Sequence, residues 1–404
     1  MVRYISKLLL VLLILLSTLG CWDRKELNEL GIVLAVAIDK HESGYLVSCQ
    51  IVVPSEVASK SGRGNTNPVT LVQAVAPTIH EAFYKMSLST PRLSYLSHIR
   101  LLVFSEEAAK VGIGETLEAL IRDPNVRPDY FVTVARDTPA EDVLNVLTPL
   151  ESIPANSLFY SLKNSSENWA PTITAFADKI IEKMVSGGIE PVVTGVRVQG
   201  PREIGGTKEN LTRIHPKTDL IFTGLGVMVN DKLQGWMTEA ESKGFNYISG
   251  KVQETVGHID CPEGPGAITL VLLRSDSTIE PKLVNGEPEF EVKLDVVQTI
   301  YADSCRTSLS SDHSIQELET ISEQKLAKIM ESSLNAAQKK FKVDIFGFGR
   351  EFSHKYPDEW KKLSANWNER FAEVKVSYAV EAQVRRIGTL DESIMKQIKE
   401  GTPE

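Results

Sequence analysis

The hydrophobic pattern changes character several times along the chain. It opens with nine uninterrupted apolar residues, Leu8 to Leu16, preceded by Arg3 and Lys7 and followed by the polar stretch Cys21 to Gly31 (CWDRKELNELG). Nine residues fall well short of the roughly 20 that a bilayer-spanning helix needs, but they fit the h-region of a signal peptide. No later segment reads as a membrane span. Ile32 to Asp39 (IVLAVAID) and Tyr45 to Val53 (YLVSCQIVV) are apolar, β-rich runs on either side of the turn His41 to Gly44, which predicts a hairpin. Pro54 to Pro68 is rich in Ser, Gly and Asn, has no periodicity and reads as a loop.

From Val69 strands and helices alternate. Strands are predicted at Val69 to Val75, Ile99 to Phe104 and Tyr130 to Ala135. Helices are predicted at Thr78 to Leu88, from the cap Ser105 to Gly112, at Glu115 to Ile121, at Pro139 to Leu147 and at Ile173 to Met184, where Gly187-Gly188 ends the run. From Ile189 short β runs dominate: Pro191 to Val198, Leu220 to Val229, Leu233 to Met237 and Gly250 to Val256, with Gly200 to Asn210 as a loop and Asn230-Asp231 as a tight turn. The last part has a strand at Ala267 to Leu273, the hairpin dipeptide Asn285-Gly286, and a strand with Phe290, Val292, Leu294 and Val296 on one face. A long helix capped by Ser314 carries Leu326, Met330, Leu334, Ala337 and Phe341 at helical spacing. A helix around Pro357 to Phe371 and an alternating strand at Val374 to Val384 complete it.

The pattern therefore predicts a multi-domain α/β chain of mixed α+β character, with mixed and antiparallel sheets packed by helices. Its predicted parts are a signal peptide at 1–20, an N-terminal mixed α/β domain at 21–187, a small, mainly β middle domain at 188–265, a C-terminal α+β domain with the long helix at 266–390, and a tail at 391–404. The length of 404 residues agrees, since it exceeds what one core organises.

Composition narrows the function. The formal net charge is −9, and it becomes −11 when Arg3 and Lys7 leave with the signal. An acidic body offers nucleic acid no footprint and gains nothing from an anionic membrane surface. Gly20 before Cys21 suits lipoprotein processing, although Thr18 and Leu19 depart from the usual approach to the lipidated cysteine. On that reading Cys21 carries a diacylglyceryl group that anchors the body. An uncleaved anchor and an ordinary secretory signal are the competing readings. The remaining cysteines, Cys49, Cys261 and Cys305, lack metal-ligand spacing. They read first as buried small hydrophobes, with one disulfide and a leftover thiol as the alternative, and the sequence does not choose a pair.

Enzyme motifs fail on inspection. His80-Glu81 opens a zinc-helix pattern, but Tyr84 stands where the second His belongs. Ser322-Glu323-Gln324-Lys325 has penicillin-binding spacing without its partners and reads as a solvent-facing helix turn. Gly224-Leu225-Gly226 lacks a third glycine, and Gly347-Phe348-Gly349 reads as a hinge rather than a phosphate cradle. His98 reads as structural. Asp23, Arg24 and Glu26 form a polar collar beside the lipid or a contact to a membrane partner, and Trp22 suits the headgroup level. Phe346, Phe348, Trp360, Trp367 and Phe371 read mostly as core. No catalytic residue, metal ligand or cofactor is assigned, and ligand-binding residues stay unassigned.

Four blocks carry a resemblance: Cys21 to Asp39, Leu96 to Ile113 (LSHIRLLVFSEEAAKVGI), Gly224 to Lys251 (GLGVMVNDKLQGWMTEAESKGFNYISGK) and Asp344 to Gly388. In order, and over almost the whole mature chain, they resemble the Ger(x)C-type lipoproteins, the C subunits of bacterial spore germinant receptors. The resemblance implies a three-domain, non-enzymatic lipoprotein on the outer face of the inner spore membrane. It implies partners, an integral-membrane A subunit with a soluble domain and a transporter-like B subunit, which together sense nutrients. It leaves open the germinant and whether this subunit touches it. The alternative is a solute-binding lipoprotein of an importer, which predicts two similar lobes around a cleft.

Overall fold

A computed structural model describes residues 3–7, 26, 29–54, 56, 67–261, 265–305 and 312–385. Cys21, Trp22, Asp23 and Arg24, most of the signal segment 1–20, most of the loop at 54–68 and the tail 391–404 lie outside the described residues.

In chain order the first part comprises β1 (Leu30–His41), β2 (Gly44–Val52), β3 (Val69–Ala76), α1 (Ile79–Lys85), β4 (Leu93–Tyr95), β5 (Leu101–Ser105), α2 (Glu106–Val111), α3 (Gly114–Arg122), β6 (Phe131–Ala135), α4 (Ala140–Asn145), α5 (Pro154–Asn168) and α6 (Ala177–Ser186). Then come β7 (Val192–Gln199), the single turns α7 (Arg202–Gly205) and α8 (Lys208–Leu211), β8 (Asp219–Val229), β9 (Lys232–Trp236), α9 (Glu239–Ile248) and β10 (Val256–Asp260). The last part holds β11 (Ala267–Val284), β12 (Glu287–Asp303), α10 (Asp312–Asn335), α11 (Phe348–Lys355), α12 (Pro357–Leu363), α13 (Trp367–Phe371) and β13 (Lys375–Arg385).

The fold is mixed α/β and built on two sheets. The first has nine strands in the order β3-β2-β1-β5-β6-β7-β8-β9, with β4 pairing β1 off that path. Its centre, β1-β5-β6-β7, is parallel, and antiparallel pairs close both ends. Every residue of β5 and β6 is buried, because helices cover both faces. Side chains of α4 and α5 pack on one face and those of α2, α3 and α6 on the other. This two-sided burial is why LLVFS and FVTVA read as continuous apolar runs.

The second sheet, β10-β11-β12-β13, is antiparallel except for the parallel β12–β13 pair. Among the described residues only one of its faces is covered, so its strands alternate. Phe290, Val292, Leu294 and Val296 point inward against α10 to α13. The outer face carries cross-strand pairs such as Lys282–Glu291 at 3.0 Å and Lys293–Glu280 at 2.7 Å. Asn285 and Gly286, both with positive φ, make the hairpin turn.

Several elements differ from their prediction. The described residues of 188–265 form no sheet of their own: β7, β8 and β9 extend the first sheet and β10 joins the second. The change of texture at Ile189 marks the passage from parallel strands to antiparallel strands nearer an edge. The residues of predicted strand Gly250 to Val256 are mostly coil, and strand begins only at Val256. The loop Gly200 to Asn210 holds α7 and most of α8. Helix α6 starts at Ala177, four residues after Ile173, and the helix around Pro357 to Phe371 is broken into α12, a 3-10 turn and α13. Ser314 lies inside α10, which begins at Asp312.

Candidate functional site

Cys261 and Cys305 form a disulfide, and Cys49 remains a buried thiol whose pKa burial drives upward. The cysteines are thus one bridge and one inert thiol, which corrects the first reading of three buried small hydrophobes. Ser322 is also corrected. It is buried, and its hydroxyl donates to Gln298 Oε1 at 2.6 Å, so it faces the sheet rather than solvent. His98 is exposed, edge-on to Tyr95. Gly347-Phe348-Gly349 does act as a cradle, but for the chain's own carboxylate. The backbone N–H groups of Phe346 (3.1 Å) and Gly347 (2.8 Å) donate to Asp344 Oδ1, and those of Gly349 (2.8 Å) and the Trp367 indole (2.9 Å) to Oδ2. Burial raises the Asp344 pKa, and these donors pull against it.

This knot fixes the C-terminal part against the first sheet. Glu190 N donates to Asp344 O at 2.7 Å, and Arg350 N donates to Gly188 O at 3.2 Å. Gly188 and Gly349 meet backbone to backbone. A Cβ on Gly349 would stand 2.8 Å from Gly188 Cα, and Gly188 itself has φ +71°. Only glycines allow this approach.

Beside the knot lies a cavity of about 280 Å³. Its apolar wall includes Ile173, Ile180, Ile189, Phe245 and Phe346, and its polar lining includes Lys179, Lys183, Lys251, Arg350 and Ser249. The lysines and the arginine arrive from far apart in sequence. Lys179 and Lys183 lie one turn apart on α6, Lys251 follows the end of α9, and Arg350 lies in the first turn of α11. Lys179 is paired to Glu182 at 2.7 Å. Among the described residues neither Lys183 nor Lys251 has a carboxylate within salt-bridge reach, and Arg350 has only its neighbour Glu351 at 3.6 Å. The Ser249 hydroxyl is buried without a hydrogen-bond partner.

Burial, then repulsion from Lys251 and Arg350, pushes Lys183 down to about 7. Lys251 is pushed down to about 8 by desolvation and by Arg350. Lys251 is exposed by surface area, so the half-buried Lys183 carries the clearer shift. Chemically the cavity offers cationic donors and a hydroxyl beside an aromatic wall, with no nucleophile–base pair. No spacing rule unites positions 183, 251 and 350. The only trace in the sequence is that Lys251 and Arg350 fall within the blocks quoted above.

Cys21 lies outside the described residues. Among those residues no group of three or more His, Cys, Asp or Glu is placed to hold a metal, and no helix is long and apolar enough to cross a membrane.

Comparison with known proteins places these features in a lineage. Residues 23–198 match the family described as spore germination protein N-terminal domain, and residues 223–388 match the family described as spore germination B3/GerAC like, C-terminal. Spore germination protein KC of Bacillus subtilis (strain 168) is 30% identical over 408 residues, covering 98% of this chain and 100% of that protein. Spore germination protein B3 of the same organism is 24% identical, covering 95% of this chain and 98% of that protein. The crystal structure of the GerBC protein is similar in fold, with a TM-score of 0.53 at 19% identity over 86% of this chain and 96% of that one.

Proposed function

The chain belongs to the spore germination B3/GerAC-like family, and from that membership we propose that it is the C subunit of a spore nutrient germinant receptor. In this reading it is lipidated at Cys21, sits on the outer face of the cell membrane that becomes the inner spore membrane, and acts with integral-membrane A and B subunits. The observation that carries it is end-to-end similarity to a spore germination protein.

Three features support the finer points. A disulfide between Cys261 and Cys305 suits an oxidising location outside the cytoplasm. With no spanning helix among the described residues, a diacylated Cys21 supplies two chains, enough for stable attachment where one is marginal. The two sheets differ in strand number and topology, which disfavours the importer's solute-binding lipoprotein with its two similar lobes. The reading is non-enzymatic, in keeping with a Ser322 committed to Gln298 and an Asp344 committed to its own backbone.

Deleting the gene, with any paralogue, is expected to abolish nutrient-triggered germination and spare nutrient-independent germination. Normal responses to every nutrient would overturn the reading. Cys21→Ala is expected to shift the chain from the membrane to the soluble or secreted fraction; unchanged membrane retention on fractionation would remove lipidation from the account.

A further inference from the structure

We propose that the cavity between α6, α9 and α11 binds a small organic anion, a carboxylate or phosphate head on an apolar or aromatic body. Nothing in the receptor reading assigns this site, and the inference stands independently of it.

The chain is acidic overall, with a formal net charge of −9, yet Lys183, Lys251 and Arg350 converge on one cavity from separate elements, and among the described residues only Arg350 has a carboxylate within reach, its neighbour Glu351 at 3.6 Å. Cations brought together in this way repel one another and lose hydration, which disfavours the folded state unless something compensates. The carboxylates nearby are already engaged. Glu182 holds Lys179, and Asp344 accepts from backbone and indole donors. An anionic head inside the cavity would take the place they leave open, and the unpartnered Ser249 hydroxyl adds a donor.

The rest of the lining describes the body of the ligand. Phe245 and Phe346, with ring centroids 5.7 Å apart, and the isoleucines make a wall suited to a flat apolar group. The volume of about 280 Å³ lies just below the roughly 300–1,000 Å³ of drug-sized ligand pockets, which limits the ligand to a small one. Long cationic side chains commonly extend to water over apolar surface, and Lys251 at the rim fits that description. Lys183 does not: it is half-buried, Lys251 and Arg350 disfavour its charge, Glu182 and Asp344 favour it, and Lys179 lines the same cavity.

The test uses the full chain in a neutral detergent and follows ligand-observed NMR and thermal shift. The probes are phenyl phosphate and benzoate, with benzyl alcohol as the uncharged counterpart. Saturable binding of at least one anion is expected, with none for benzyl alcohol. A preference between the two anions identifies the head group. Lys183→Gln and Arg350→Gln are each expected to weaken binding by about tenfold or more, the scale of a lost charge-assisted hydrogen bond. Binding should also weaken with salt and as pH rises from about 7, where free Lys183 sheds its proton. Both variants remove a like charge and should melt no lower than the parent; Lys251→Gln at the rim repeats the test on an exposed side chain. Failure of both anions to saturate, equal binding of benzyl alcohol, or binding unaffected by all three substitutions overturns the proposal.

Discussion

Three buried polar side chains, Asp39, Gln50 and Asp344, are held by backbone groups. Asp39 lies near the C-terminal end of β1, after the apolar run IVLAVAI. Its two oxygens accept from Ala140 N (2.7 Å) and Glu141 N (2.9 Å), capping α4, where Pro139 offers no side-chain cap. Gln50 does the same for two elements, donating to Leu144 O at 2.8 Å and accepting from Ala155 N at 2.9 Å. Asp344 is the extreme case, and Asp344→Ala orphans its buried donors. At about 1–3 kcal/mol for each buried group left unsatisfied, and with partial rescue by water, we expect a loss of about 3 kcal/mol or more in denaturant unfolding. A loss under about 1 kcal/mol would mean that the knot is not a source of stability. Lys183 makes the opposite kind of prediction. Its folded pKa of about 7 lies below the ordinary 10.5, so below pH 7 it is charged in both states and its burial penalty is at full strength. Between about 7 and 10.5 the unfolded chain binds more protons, and stability rises with pH. Lys183→Met should raise the melting temperature below pH 7 and shrink that rise. An identical pH profile in the variant would contradict the assignment. None of these roles is visible in sequence, because they depend on which distant backbone N–H meets each carboxylate.

Among the elements, legibility followed burial geometry. The parallel strands announced themselves as unbroken apolar runs because helices cover both their faces, and β12 and β13 alternated because one face is wet. Helix α5 went unread. Its sequence PANSLFYSLKNSSEN is rich in Ser and Asn, weak helix formers, and buries only Pro154, Ala155, Leu158 and Leu162. Helix α9 also escaped, although its start is written plainly. Thr238 and Glu241 form a reciprocal capping box, with Glu241 N donating to Thr238 Oγ1 at 3.2 Å and Thr238 N to Glu241 Oε2 at 2.7 Å. What α9 does once formed depends on Gly244. A Cβ there would lie 2.2 Å from Ile329 O and 2.7 Å from Ser333 Cβ on α10, so the two helices touch through that glycine. Gly244→Val should force them apart at a cost of about 3 kcal/mol, measurable by unfolding; a neutral change would show that the contact yields. At the other end of the second sheet the Cys261–Cys305 bridge spans a sequence separation of 44. Chain-entropy reasoning assigns such a loop about 4 kcal/mol, so reduction should lower the melting temperature by several degrees, and an unchanged melt under reductant would contradict a structural role.

Taken whole, the molecule is two sheets sharing one continuous hydrophobic core, which runs from the helices on the first sheet through α9 to Phe290, Phe348 and Phe371. The mixed α/β class followed from the alternation of patterns, but the partition into sheets did not, since a strand's texture reports which of its faces are covered and not which neighbour it pairs with. The cationic cavity was invisible for a related reason: its charged residues lie at 183, 251 and 350, and only the closure of the shared core brings them together. What the sequence carried best was lineage, through the blocks around Asp39, Ser105, Gly244 and Asp344, residues that prove to be caps, a helix contact and a buried knot rather than chemistry. The most direct test is affinity purification of the tagged, full-length chain from membranes of dormant spores. Two integral-membrane proteins are expected to co-purify in fixed ratio, one with a large soluble domain and one transporter-like, and Cys21→Ala is expected to deplete the complex from that membrane. Recovery of the chain alone, or with the ATPase and permease of an importer, would contradict the receptor reading.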